Sequence, residues 1–599
     1  MQPRKLRTIF VAGLLVCGTL FTAAAGFAAE RATLQERVAA QQQVEFNIYL
    51  PLEHRAQLET LLAALHNSSS AQYHKWLTPN EFNSRFGANE HSVATIVNEL
   101  NAYGLRSDRV SAQQIQVTGD ARAVEQLFLT ELHAATFPNG QKTIAASQAI
   151  SLPGSMAASG AVVTGLSAFI RVHKHSHRAA TAIPENRYSN VGPYWFDDLK
   201  QAYLYPSYQG YNGKGVTIGI LMTGGYNPAD MNKYFAHEQL PTPKITEVDI
   251  AGGAPFDPNN SFETHLDLQQ SGGMAPNAHL VLYNIPDLTD NHILAGLTKI
   301  LDQNRADVVS MSFGGPELGY EPQYNGGQDE TALLGVYDDM FARGTAQGIT
   351  FIASSGDAGA LSVPPAACFA PNATSACGSV LASVESPASS PHVTGVGGTN
   401  LVTTMSSTSL DSKYVSEAAF DDPLEGDIFY GTPATGSVWA SGGGNSIYYK
   451  KPAFQFMVNT GSNYRTVPDV SLHMGGCPIG AVLPCGPDRS ADIVAIGGKY
   501  YGVIGTSASA PDFAGLTALK IQRMGSRLGN ENYDIYALAN LQQAGSLKVF
   551  HDDIPGYNGL YTSQKGYNRV LGNGTVIGIN FLLAPATPAA GTPQTPSNP

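Results

Sequence analysis

The stretch GVTIGILM, residues 215–222, is apolar almost continuously and not at every second position. A strand with one face in water alternates, whereas a run of this kind is buried on both faces. Three further runs repeat the pattern: HLVLYNIP (279–286), ADVVSMSF (306–313) and ITFIASSGD (349–357). Helix-like segments such as NHILAGLTKILDQN stand between them. Buried strands alternating with helices predict an α/β fold, a parallel sheet flanked by helices on both faces. Ligands bind such open sheets at the strand ends, so the polar residues that close these runs are the candidates for chemistry.

Toward the N-terminus the pattern changes. Residues 30–170 read as a separate α+β unit, with strand-like VEFNIYLP (44–51) and QIQVTG (114–119) and helical spacing in RAQLETLLAAL and SVATIVNELNAYG. A linker, 171–192, follows. Its first part, RVHKHSHRAATAIPEN, is basic and lacks apolar periodicity. A solvated connector is the plain reading; a pH-responsive cleavage segment is the sharper one, because His173, His175 and His177 would charge together in acid. The main α/β unit is assigned to 193–580, and 581–599 is a Pro/Thr/Ala-rich tail expected to be disordered.

The chain has 599 residues and a net charge of −13, from 35 basic and 48 acidic residues, with only 14% charged. No basic stripe stands out, which argues against nucleic acid as a partner. Low charge density suits a surface that stays soluble where carboxylates protonate. Arg4, Lys5 and Arg7 precede the apolar run IFVAGLLVCGTLFTAAAGFAA, so residues 1–29 read as a secretory signal peptide. No later stretch is apolar for long enough to span a membrane, so an exported protein without stable membrane association is expected. Four cysteines remain, Cys368 with Cys377 and Cys477 with Cys485 close in sequence. Export favours two short-loop disulfides, each contributing about 2–3 kcal/mol.

IGTSASAPDF (504–513) looks like the start of a nucleophile helix. Gly505-Thr506-Ser507 turns tightly into a segment whose Pro511 suits a first helical turn. A serine hydroxyl needs a base, and no histidine occupies a persuasive strand-end position. FETHLDLQQS (262–271) instead offers Glu263 and Asp267, one helical turn apart on one face. SSGDAG (354–359) places Asp357 in a glycine-bracketed turn directly after a buried strand. This set makes sense in acid, where imidazole is protonated but a carboxylate still accepts a proton. Glu263 would take the Ser507 proton, Asp267 would share and orient it, and a protonated Asp357 would donate to the oxyanion.

These residues resemble a known family, the sedolisins or serine-carboxyl peptidases, which are subtilisin-like in fold. GTSASAP (505–511) is similar to the family's GTSxSxP motif, ETHLD (263–267) to its ExxxD base pair, and SSGDAG to its oxyanion aspartate. VVSMSFG (308–314), PASSPHVTGVGGT (387–399), SGGGNS (441–446) and RTVPDVS (465–471) look like its structural signatures. YHKWLTPNEFNSRFG (73–87) and VTGDARAVEQLF (117–128) resemble its activation propeptide. The histidine motif HG[TS] of subtilisins and the GxSxG of α/β-hydrolases are absent. The resemblance implies a zymogen hydrolysing polypeptides through an acyl-enzyme, with the propeptide as folding aid and intramolecular inhibitor, working as a monomer. An endopeptidase is expected, with a tripeptidyl-type exopeptidase and an inactive secreted scaffold as rivals.

Three departures from the family pattern stand out. Phe313 and Leu221 occupy positions where some members carry a tryptophan and a glutamate that extend the base pair, which suggests an apolar replacement and a shifted pH optimum. The third concerns calcium. The family's C-terminal Ca2+ site maps onto Asp553, the Ile554 carbonyl, Gln564, Gly566 and Asn568, with Asn568 in place of an aspartate. Ca2+ remains the expected cofactor, bound more weakly for the lost charge.

Overall fold

The computed structural model describes residues 30–138, 140–179, 182–184, 186–187, 189–325, 327–363, 380–405, 411–422, 439–477 and 490–585. The predicted signal peptide, residues 586–599, and Cys368, Cys377 and Cys485 lie outside the described residues, and Cys477 is disulfide-bonded. The expected disordered tail does not begin at 581, because the helix Gly578–Leu583 buries Phe581 and Leu582 in the core. No helix among the described residues is long and apolar enough to cross a membrane.

The apolar runs form the centre of the sheet. Val308–Met311 and Thr350–Ser354 are buried throughout, and Thr217–Thr223 is buried over its central five residues. Seven parallel strands follow the order Lys244–Asp249, His279–Ile285, Thr217–Thr223, Val308–Met311, Thr350–Ser354, Val393–Thr403, Val470–His473. Ile218 pairs with Leu280 on one side and Val308 on the other. Short strands Thr575–Val576 and Phe550–His551 extend one edge, and Tyr414–Ala419 runs antiparallel to Val393–Thr403.

Two helices are enclosed. In Phe262–Met274 every residue from Glu263 onward is buried, and in Thr506–Met524 every residue from Thr506 to Ile521. On a helix buried all round, a polar side chain depends on partners inside the protein or shifts its charge state. Both helices begin at the C-terminal end of the sheet, beside Ser312 and Ser354–Asp357.

Residues 30–170 form their own unit. A four-stranded antiparallel sheet runs in the order Arg106–Arg109, Gln114–Asp120, Gln43–Tyr49, Val162–Thr164. Phe46, Ile48, Ile96, Leu100, Val117 and Phe128 fill its core. It docks on the larger unit through Leu58, Leu62 and Phe82, which pack with Ala342 and Ala346. Arg55 is paired with Asp338 (2.6 Å) and Asp339, and His66 stacks on Tyr533 at 4.6 Å.

Candidate active site

Ser507 opens the helix Thr506–Met524 and is fully buried. The residue before that helix must be glycine. Gly505 has φ +135°, and a Cβ there would lie 2.1 Å from the His175 carbonyl oxygen and 2.6 Å from Asp357 Oδ2. Pro511 lies inside this helix, not in its first turn as the sequence suggested. Having no N–H, it leaves the Ser507 carbonyl without its i+4 donor, and Ser312 Oγ approaches that oxygen at 3.4 Å.

Glu263 and Asp267 sit one turn apart on Phe262–Met274, both fully buried. The Ser507 hydroxyl donates to the Ser312 carbonyl oxygen at 3.3 Å, and it lies close enough to the Glu263 carboxyl to oppose the upward pull of burial on that group. Asp267 Oδ1 accepts from Ser312 Oγ at 2.6 Å. Glu263 Oε1 and Asp267 Oδ2 have no hydrogen-bond partner among the described residues. Burial raises both carboxyls above their usual range, and the Glu263 charge raises Asp267 further. Two adjacent buried carboxyls cannot both ionise readily, so the pair retains a proton to higher pH than free carboxyls do.

Asp357 follows the strand Thr350–Ser354, as predicted. Its Oδ1 accepts from Thr506 N (2.8 Å) and Thr506 Oγ1 (2.7 Å), while Oδ2 is buried without a hydrogen-bond partner among the described residues. Burial pushes this carboxyl up to about 7. Below that pH it is protonated, and because Oδ1 is occupied by two donors the proton belongs on Oδ2, which faces the space beside Gly505. The four predicted catalytic residues are therefore brought together. Ser312 and Thr506, which hold Asp267 and Asp357 in place, were missed as individual residues although both lie inside quoted motifs.

The linker is not a solvated connector. It runs as extended chain across the site, His173 and Lys174 pairing antiparallel with Gly314 and Phe313, and His177 and Arg178 with Ile504 and Val503. Ser507 N donates to the His175 carbonyl oxygen at 3.1 Å, and His175 N approaches the Ser312 carbonyl at 3.4 Å. Ser176 Oγ donates to Glu263 Oε2. His175 is fully buried, its Nδ1 2.7 Å from Ser354 Oγ and its Nε2 2.6 Å from Glu385. Basic composition pointed to solvent; the acidic site that receives these residues lies far along the chain, which a local reading cannot show.

The calcium expectation does not fit the loop. Asn568 Oδ1 accepts from the backbone N–H groups of Val570 (3.0 Å) and Leu571 (2.9 Å), which fixes the amide's orientation. Its Nδ2 then donates to the carbonyls of Gln564 (2.9 Å) and Gly566 (3.2 Å), two of the five groups assigned to the ion. The amide nitrogen occupies the direction in which those carbonyls would meet a cation. Asp553 is exposed. Asp553, Ile554, Gln564, Gly566 and Asn568 are thus a loop closed by an amide, and no catalytic step is routed through a metal there.

The profile of the subtilase family matches residues 248–548. The chain belongs to the subtilase family. The Pro-kumamolisin activation domain matches residues 30–169 of this subtilase. It is 28% identical over 528 residues to kumamolisin of Bacillus sp. (strain MN-32), covering 84% of each chain. It is 27% identical to sedolisin of Pseudomonas sp. (strain 101), covering 88% of this chain and 83% of that one. Among solved structures, Pseudomonas sedolisin, a serine-carboxyl proteinase complexed with two molecules of pseudo-iodotyrostatin, superposes with a TM-score of 0.52 at 24% identity, covering 67% of this chain and 98% of that one. The chain is a serine-type peptidase of the sedolisin group, with a subtilisin-like fold and an activation domain. At the two apolar departures, Phe313 and Leu221 are both buried in the main core of this subtilase.

Proposed function

We propose that this subtilase is a secreted, acid-acting serine-carboxyl endopeptidase, made as a zymogen whose first substrate is its own His175–Ser176 bond. The observation that carries the reading is the linker: His175 presents its carbonyl oxygen to the Ser507 N–H, with paired backbone on both sides of the bond. Ser507 Oγ attacks the His175 carbonyl carbon while Glu263 accepts its proton, with Asp267 sharing the charge. The Ser507 N–H and protonated Asp357 Oδ2 stabilise the oxyanion. Glu263 returns the proton to the Ser176 amine, and water then releases the acyl group by the same steps.

An exopeptidase releasing tripeptides would need the cleft closed beyond the third residue before the bond. Here the chain continues past His173: a Cβ on Gly315 would lie 2.3 Å from the Arg171 carbonyl oxygen, so the cleft accommodates at least that residue too. This favours the endopeptidase reading. Secretion rests on the N-terminal sequence.

The test compares the purified proform with Ser507→Ala after a shift from pH 7 to about pH 4. Wild type should yield a fragment ending at His175 and a new N-terminus at Ser176 by mass, and gain activity on casein; Ser507→Ala should do neither. Equal processing of both, or a first cut elsewhere, would reject the reading.

A further inference from the structure

The pocket that receives the His175 side chain is built around an acid. Glu385 lies on the short strand Glu385–Ser386, antiparallel to Phe313–Pro316, which is itself paired with the linker. This residue is 2% exposed, and its carboxylate accepts from His175 Nε2 at 2.6 Å, while Ser354 Oγ lies 2.7 Å from Nδ1. Both ring nitrogens are engaged, and no part of the ring reaches water.

Two glycines make the space. A Cβ on Gly314 would lie 2.6 Å from His175 Cε1, and one on Gly356 would lie 2.8 Å from Glu385 Oε1. An alanine at either would push into the ring or its acid. Around His175 stand Glu385, then Asp357 and Glu263 at longer range, with the His173 ring edge-on at 5.1 Å. His173 Nε2 is 3.8 Å from the same Glu385 oxygen.

The charge pattern agrees with the geometry. Burial works against charging the His175 imidazole, yet Glu385 and the other carboxylates carry it above its ordinary value. His175 and His173 in turn hold Glu385 low against its own burial. Burial pushes His173 down to about 4, so above that pH the imidazolium of His175 is the main countercharge to this carboxylate. A leucine or phenylalanine in this pocket would leave Glu385 buried without its donor, which sites of this kind discriminate against strongly.

We propose that Glu385 and Ser354 make this pocket a histidine-reading subsite, so that the mature enzyme cleaves polypeptides on the C-terminal side of histidine. The proposal rests on the endopeptidase reading and extends it from the linker to substrates in trans: once the linker is cleaved and leaves, the same vacated pocket selects the acyl-side residue. It assigns a specificity-determining role to Glu385, a residue that takes no part in the chemical steps.

The test uses acid-activated wild-type enzyme and a peptide series at pH 4, identical except for His, Gln, Leu, Phe or Lys before the scissile bond. kcat/KM for His should exceed that for Leu, Phe and Gln by at least about tenfold. Glu385→Gln, which keeps the shape and removes the charge, should reduce the His-to-Leu ratio by about tenfold or more. The wild-type series needs no variant and decides the matter if Glu385→Gln fails to fold. Cleavage of all peptides at comparable rates, or a preference for Leu or Phe, overturns the histidine subsite while leaving the peptidase reading intact. No cleavage of any peptide overturns both.

Discussion

Replacing Asn568 by aspartate should turn a cation-independent loop into a cation-dependent one. In the native loop the amide makes four hydrogen bonds, two accepted from backbone N–H groups and two donated to carbonyls, at a position 7% exposed. The introduced carboxylate would keep the first two, now charge-assisted. Its second oxygen would face two carbonyl oxygens where a donor had been. Losing two donated bonds removes roughly 2 kcal/mol, and the partly desolvated charge adds to that, so a net loss of about 3 kcal/mol is expected without metal. For a unit of several hundred residues this corresponds to a Tm decrease of roughly 3–5 °C. With Ca2+ the three oxygens acquire a common partner, and saturation to about 100-fold over Kd restores about 2.7 kcal/mol. The assay is thermal unfolding of the Ser507→Ala proform and of its Asn568→Asp derivative, each in chelator and in millimolar Ca2+. The parent should move by less than about 1 °C between the two buffers, and the Asn568→Asp derivative by several. A parent that loses several degrees in chelator refutes the reasoning, because the amide would then not be standing in for a cation.

Asp357→Asn leaves a non-titrating N–H donor at the oxyanion, so the loss of activity expected of the wild type as pH rises through about 7 should flatten, at a maximal kcat lowered about 10- to 1000-fold; an unchanged alkaline limb would contradict the role given to Asp357. Asp492 and Asp512 are buried, with no hydrogen-bond partner on either oxygen among the described residues, and burial raises both carboxyls. A raised native pKa means stability that is full in acid and falls as pH rises, by about 1.4 kcal/mol per unit above the carboxyl's unfolded pKa until the native one is reached. Asp512→Asn should therefore raise Tm at pH 7 and change it little at pH 3; equal shifts at both would refute the argument. Arg55→Ala removes the ion pairs with Asp338 and Asp339 and should weaken inhibition of the mature enzyme by its separated activation domain about 30-fold, roughly 2 kcal/mol, measured as a change in Ki.

What could be read from sequence was what is contiguous in it. The sheet was legible because burial on both faces leaves an unbroken apolar run, and GVTIGILM and ITFIASSGD do occupy its middle. Glu263, Asp267, Asp357 and Ser507 were legible because each is set by its own short segment: a helical turn for the pair, a strand-ending turn for Asp357, a glycine-led helix start for Ser507. The partner of His175 was not, because Glu385 is 210 residues away and joins it only through strand pairing on Phe313–Pro316. The same distance misled the reading of the linker. Its histidines and arginines are polar residues that go where carboxylates wait, and composition cannot tell that destination from water. At Asn568 the sequence shows a side-chain oxygen, while the backbone N–H groups of Val570 and Leu571 decide which end of the amide faces the loop.

A linker lying in the cleft like a substrate poses the question of what would keep it whole at neutral pH. Its geometry offers no obstacle: the carbonyl is on the Ser507 N–H, and the hydroxyl is beside Glu263. On the proposed mechanism the obstacle is charge. Above about 7 the Asp357 carboxyl has lost its proton, and its Oδ2 then stands against the oxygen that must become negative during attack. A like charge there repels the oxyanion where a hydrogen bond should hold it. Acid supplies that proton. The docking contact at Glu59 withstands that fall, because His392 and Arg55 hold its carboxyl below the usual range against burial. On this mechanism, protonating Asp357 is the step that turns on cleavage. Latency is then set by a proton as well as by the linker's place in the cleft, and a variant such as Asp357→Asn should begin to process its linker, slowly, without acid.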